Sequence, residues 1–138
     1  MLDENNIILN TDSYKVSHWK QLRPGTSRIY QYLESRGGVS SQTLFFGAQY
    51  GIKRHLAGTV VTPEKLREAI PILNLHMGDH CNIYGWQHII DHHKGKLPLE
   101  IKAVPEGTVL PTKNVLMTIE NTCDQCAWVP GYVEDHIV

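Results

Sequence analysis

The apolar positions of this chain switch between a helical and an alternating period, and that switching predicts the order of its elements. Leu66, Ala69, Ile70 and Leu73 form a helical stripe behind Thr62-Pro63-Glu64. Thr62 suits an N-cap, Pro63 the first turn and Glu64 the positive end of the dipole. Pro71 predicts a kink or a stop, because its ring clashes with the carbonyl four residues back. A further helix carries Trp86, Ile89, Ile90 and His93, with Lys94 in its last turn and Gly95 beyond. Phe45, Ala48, Ile52 and Leu56 share one helical face and predict another, stopped by Gly58. Period two takes over in Leu99, Ile101 and Ala103 and again in Val115, Met117 and Ile119, which predicts two strands. Ser27 to Glu34, with Ile29, Tyr30, Tyr32 and Leu33, is a strand by composition, broken by Gly37-Gly38.

Shorter signals fill the ends. Ile7-Ile8-Leu9 suits a strand or an anchoring segment, and Thr11, Asp12 or Ser13 suits the cap of a short helix. Arg23-Pro24-Gly25-Thr26 has the residues of a type II turn. Thr122 and Gln125 have capping-box spacing before a last helix whose face is Val129, Val133, His136 and Ile137. No capping signal follows, so this helix is expected to be cut short and its packing partner to lie elsewhere. Helices and strands are mixed without βαβ regularity, which predicts an α+β fold with a largely antiparallel sheet and three to four helices.

Composition narrows the function. A chain of 138 residues, 41% hydrophobic and 20% charged, suits one soluble domain spanning 1–138. A net charge of −1 carries no footprint for nucleic acid or an anionic membrane. No apolar run approaches the roughly 20 residues of a membrane span. Three cysteines behind an acidic, polar start point to a reduced, cytoplasmic setting.

The candidate chemistry is sparse. Cys123-Asp124-Gln125-Cys126 has CxxC spacing, which suits zinc or redox work. A closed zinc site needs four ligands, and no second CxxC accompanies it. His76, His80 and Cys81 complete it only if the fold happens to bring them there, so no metal ligand is assigned. His93 reads as a packed histidine, and the rest of the stretch from His76 as mostly solvated. No phosphate-binding glycine pattern is present. Asp12 and Glu34 are available carboxylates near turns. No catalytic residue is assigned.

Six segments in order carry a resemblance. They are Thr11-Asp12-Ser13-Tyr14-Lys15, Glu34-Ser35-Arg36-Gly37-Gly38, Phe45-Phe46-Gly47-x-Gln49, the run Glu100 to Gly107, Asn114-Val115-Leu116 and Glu120-Asn121-Thr122. Together they resemble the amino-terminal region of nicotinamide phosphoribosyltransferases, from about Ile7 onward. The resemblance implies part of a larger two-domain fold whose catalytic α/β barrel lies outside these residues. It implies the joining of nicotinamide to phosphoribosyl pyrophosphate, giving nicotinamide mononucleotide and pyrophosphate, a salvage step toward NAD. Magnesium and ATP are implied for the complete enzyme, with no cofactor held by this chain alone. The resemblance further implies active sites formed between the two subunits of a dimer, or a companion chain that carries the barrel.

Three residues are carried over as substrate-binding. Tyr14 matches the tyrosine that stacks on the nicotinamide ring from across the dimer, where an aromatic pair gains about 0.5–1.5 kcal/mol. Asp12 matches an aspartate beside that ring. Arg36 matches an arginine near the phosphates, which its planar guanidinium suits. Lys15 is a weaker candidate for the same electropositive edge. Read from the residues alone, Asp12 also fits an N-cap, Tyr14 a local packing residue and Arg36 a solvated loop charge. Two departures stand out: Pro130-Gly131 falls inside the family's continuous helix, and Cys123 has no clear family counterpart. Two other roles remain open, a non-catalytic binding or regulatory module and a truncated product without function.

Overall fold

The computed structural model describes residues 5–137 and has an α+β fold. Its elements run α1 (Lys15–His18), β1 (Tyr30–Glu34), β2 (Gln42–Leu44), α2 (Ala48–Gly51), α3 (Pro63–Met77), α4 (Ile83–His93), β3 (Leu99–Ala103), β4 (Val109–Pro111), β5 (Val115–Asn121) and α5 (Val129–Val133). An antiparallel sheet ordered β1-β5-β3 is joined by a separate antiparallel pair, β2-β4.

Pleat decides which side of the larger sheet is dry. Ile101 pairs with Ile119, and Gln31 and Leu33 pair with Ile119 and Met117, all on one face. Ile119 and Ile101 on that face pack with Leu66, Ala69 and Leu73 of α3, Trp86 and Ile89 of α4, and Val129 and Val133 of α5, while Met117 and Leu33 pack in a smaller cluster with Phe45 and Ala48. The centre is aromatic: Trp86 meets the edges of Trp128 at 4.6 Å and Tyr132 at 5.0 Å. Such edge contacts add about 0.5–1.5 kcal/mol each to area burial. Ile7 and Ile8 are buried in the same core as an anchoring turn, not a strand. The opposite face carries Tyr30, Tyr32, Glu100 and Lys102.

Helix ends follow local chemistry in most places. Thr62 Oγ1 accepts from the Lys65 N–H at 3.3 Å, as its capping role requires. The helix of α3 runs on past Pro71 to Met77, which corrects the expected stop. Pro71 is exposed, so water can satisfy the carbonyl its missing N–H leaves free. Lys94 caps α4 in the left-handed conformation, and Gly95 follows at φ 73°. Only glycine fits there, since a Cβ would lie 2.1 Å from the Val61 carbonyl oxygen. The Gly95 carbonyl in turn accepts from the Val60 and Val61 N–H groups, both at 3.0 Å.

Three further expectations are corrected. Phe45 lies outside α2, and the helix widens into a π-turn at Ile52–Leu56, where the Ala57 N–H reaches the Ile52 carbonyl. The Thr122–Gln125 capping box does not form: Cys123 leads the 3-10 turn Asp124–Cys126 with no side-chain cap. The last helix is likewise three short pieces, with α5 between that turn and another at Glu134–His136. Pro130 sits in the first turn of α5, where it breaks no helical bond. The short strands β2 and β4 were not expected at all. Gln42, Thr43 and Leu44 pair with Pro111, Leu110 and Val109, so each strand exists only because the other is there.

Candidate functional site

The loop holding Asp12 and Tyr14 is fixed from the far end of the chain. Tyr132 of α5, buried against Trp86, donates its hydroxyl to the Ile8 carbonyl at 2.7 Å. The Tyr132 carbonyl accepts from the Thr11 hydroxyl at 2.8 Å. Three residues on, the Asp135 carboxylate accepts from the Asp12 N–H at 3.0 Å and pairs with the Lys15 ammonium. Glu134 adds a second ion pair to Lys15 at 2.9 Å. Lys15 is buried, so both carboxylates are needed to compensate its charge. Burial pulls the Lys15 ammonium down, but bonds to Asp135 and Glu134 outweigh this and raise its pKa. Burial pushes Asp135 up, and the Lys15 and Asp12 bonds outweigh it, holding its carboxyl below the usual value.

This arrangement removes Lys15 from any open electropositive edge, a correction to its expected role. It leaves Asp12 and Tyr14 facing out. The cap of α1 is Tyr14, with no side-chain bond, and the Lys15 N–H goes to the Asp12 backbone carbonyl. The Asp12 side chain is therefore not an N-cap. Tyr14 is 55% exposed and touches His18 with its ring at 5.0 Å. Asp12 lines a hollow of about 440 Å³ with Thr11, His55, Asp135 and His136. The His55 and His136 rings lie 5.2 Å apart, and burial, then His55, lowers the His136 pKa.

Arg36 is exposed at the end of β1 and lines a different hollow, of about 510 Å³, with Tyr32, Glu34 and Glu134. The two hollows share the turn at residues 134–136 as a border. Asp12 and Arg36 thus flank one structural feature without meeting in one pocket, and Tyr14 stands outside both. Tyr132, Glu134 and Asp135 are what sequence reasoning missed. They act on residues some 120 positions away, and nothing local to them signals it.

Other segments of the resemblance are architectural. Glu106 accepts from the Gly47 N–H at 2.8 Å and the Gln49 N–H at 2.7 Å, tying the β3–β4 turn to α2. Those donors, Gln49 first, hold its carboxyl below the usual range. Asn121 is fully buried and binds Ile29, Ser27 and Cys123 through their backbones, locking β1 to the end of β5.

The CxxC pair also finds neighbours. His76 goes to the Ser13 hydroxyl at 2.7 Å and His80 to Lys20 at 3.0 Å, while Cys81 is buried with its thiol pushed up to about 11. None of these three joins Cys123 and Cys126. The neighbours are instead His88 and His93 of α4, with one ligand atom from each of the four residues within 4.8 Å of all the others.

Among the described residues, no helix is long and apolar enough to cross a membrane. Residues 6–101 match the family model of the nicotinamide phosphoribosyltransferase N-terminal domain. The chain is 50% identical to a nicotinamide phosphoribosyltransferase of Xanthomonas campestris pv. campestris (strain 8004) over 94% of its own length and 27% of that protein's. It is 28% identical to a nicotinamide phosphoribosyltransferase of Acinetobacter baylyi over 89% of its length and 27% of the relative's. The chain thus spans about a quarter of the length of the curated relatives it matches. With the match running from the buried Asn6 to Ile101 of β3, the chain belongs to the nicotinamide phosphoribosyltransferase N-terminal domain family.

Proposed function

We propose that this chain is the amino-terminal part of a nicotinamide phosphoribosyltransferase, working in the cytoplasm in the salvage of nicotinamide to NAD. It lends Asp12, Tyr14 and Arg36 to a site completed by polypeptide outside this chain, in a homodimer or with a companion chain. Nicotinamide and phosphoribosyl pyrophosphate are the substrates; nicotinamide mononucleotide and pyrophosphate are the products.

The observation that carries the reading is the loop 11–15. Its backbone is pinned by Tyr132 and Asp135, yet Asp12 and Tyr14 are exposed, and among the described residues no hydrogen bond or ion pair uses up the Asp12 carboxylate. A fixed loop with free side chains suits an aromatic face offered to a flat pyridine ring, and a carboxylate beside it can accept from the carboxamide. The ring becomes a cation in the product, which a π-face also favours. Arg36 lies exposed across the 134–136 turn, where a guanidinium can take phosphate oxygens in pairs.

Magnesium and ATP belong to the complete enzyme. The thiol and imidazole group beside α4 is a soft donor set that does not suit magnesium. Alone, the chain is expected to be silent, because most of the positioning of the transferred sugar lies elsewhere. A chimera tests this. Residues of this chain replace the matched stretch of the Xanthomonas relative, and formation of nicotinamide mononucleotide is assayed. The chimera is expected to be active and the 138-residue chain inactive; an inert but folded, dimeric chimera would overturn the assignment.

A further inference from the structure

The corner between α4 and the turn after β5 gathers four metal-binding side chains that the proposed reaction does not use. We propose that His88, His93, Cys123 and Cys126 hold a zinc ion that clasps α4 to the chain's last segment.

The spacing has a physical logic. His88 and His93 are separated by four residues on one helix, and Cys123 and Cys126 by two residues across a 3-10 turn. Both intervals fall in the range found for structural zinc ligands. The turn that pairs the thiols is itself fixed: the Cys126 N–H donates to the Cys123 carbonyl at 2.9 Å, and buried Asn121 donates to that same carbonyl at 2.8 Å.

The geometry is nearly a coordination shell. With Zn–S and Zn–N bonds of ordinary length, a tetrahedral S2N2 site has edges of about 3.3–3.8 Å. Cys123 Sγ and His88 Nε2 already lie 3.5 Å apart. All four ligand atoms fall within 4.8 Å of one another, so the widest pair needs to close by roughly 1 Å. A second observation is independent of spacing: His93 Nε2 is buried and has no hydrogen-bond partner among the described residues. A buried imidazole nitrogen left without a partner is costly, and a ligand is one way to satisfy it.

Donor chemistry selects the ion. Two thiolates and two neutral imidazoles suit zinc and do not suit magnesium or calcium. Binding displaces the two thiol protons to solvent, and the ion with two thiolates is then a neutral unit that a half-buried corner tolerates. Four protein ligands close the shell with no position left for water, so the ion's role is structural. Its position gives that role a target. The clasp joins α4 to the stretch from Asn121 to Asp135, the same stretch that braces the loop carrying Asp12 and Tyr14.

The test measures metal and melting, not turnover, so its failure is separate from failure of the proposed activity. The 138-residue chain is purified under reducing conditions without chelator, and metals are counted by mass spectrometry. About one zinc per chain is expected. Cys123→Ser and His88→Gln alter the half-exposed ligands and are each expected to cut zinc content about tenfold or more. His76→Gln, outside the cluster, is expected to keep it. Cobalt put in place of zinc in the unaltered chain is expected to show the intense visible bands of a tetrahedral thiolate site. Removing zinc with a chelator is expected to lower the melting temperature, and adding zinc back to restore it. The proposal is overturned by zinc below about a tenth per chain, by another metal in its place, by equal zinc in the ligand variants, or by a Cys123–Cys126 disulfide.

Discussion

The corner around Trp86 and the outer face of the sheet are built from similar residues and treated in opposite ways. Trp86, Ile89, Val129 and Val133 are wholly buried, and Tyr132 nearly so. Across the sheet, Tyr30 and Tyr32 of β1 are 61% and 58% exposed, and Leu44, Phe46 and Val109 around the smaller pair are open as well. The contrast separates residues that hold the fold from residues left free to touch something else. The loop 11–15 stands on the boundary: its backbone belongs to the packed side, and its Asp12 and Tyr14 side chains to the open one.

The largest break in that contrast comes from the packed side. Trp86→Ala removes the centre of the aromatic cluster and is expected to cost about 3–5 kcal/mol. Urea unfolding followed by circular dichroism measures it, and a loss below about 1 kcal/mol would mean the corner is not the stabilising centre. Next comes the boundary. Asp135→Asn leaves Lys15 buried with Glu134 alone, which is expected to cost about 1–3 kcal/mol. Hydrogen exchange at the Asp12 amide sharpens the reading, since that N–H loses its charged acceptor and should exchange faster.

Much of the packed side was legible from the residues, and the boundary was not. The α3 stripe, its Thr62 cap, the α4 face ending at Gly95 and the alternation of β3 and β5 are all local patterns, and local patterns survive folding. The strands β2 and β4 have three residues each and exist through pairing across most of the chain, which no local period records. Asp135 is one acid among many until Tyr132 docks on Trp86 and brings it to Asp12. Pro71 misleads because the cost of proline depends on whether water reaches the freed carbonyl. The Cys123–Cys126 pair was visible, but the sequence offers His76, His80 and Cys81 as its partners, and His93 reads only as a packed histidine. What joins the pair to His88 and His93 is the packing of α4 against the turn after β5.

A smaller effect is expected from pH. His136 is held below its ordinary pKa of 6.5, chiefly by burial and then by His55, while Asp135 and the Asn10 backbone oppose this and Lys15 adds to it. As pH falls through 6.5 the unfolded chain takes the proton first, so stability is full above that value and declines below it. His136→Asn should flatten part of the decline between pH 7.5 and 5 in urea titrations, by less than about 1 kcal/mol. Equal slopes in both proteins would remove His136 from the account. The Asp135 contribution has the same sign but a lower window. It is present above pH 3.8 and lost as pH falls through the depressed folded value.

The smallest effect belongs to the open face. Tyr30→Ser and Tyr32→Ser are expected to change stability by no more than about 0.5 kcal/mol, because neither ring is packed. Light scattering should show less self-association, since each change removes exposed apolar surface. A loss of 2 kcal/mol or more would erase the distinction between the two sides.

The direct test of the central claim is Tyr14→Ala in the active chimera, with kcat/KM for nicotinamide as the readout. Losing a stacked ring predicts a fall of about three- to tenfold, with no change in the melting temperature of the chain itself. Unchanged kinetics in a folded, active chimera would contradict it and leave Tyr14 as a surface residue.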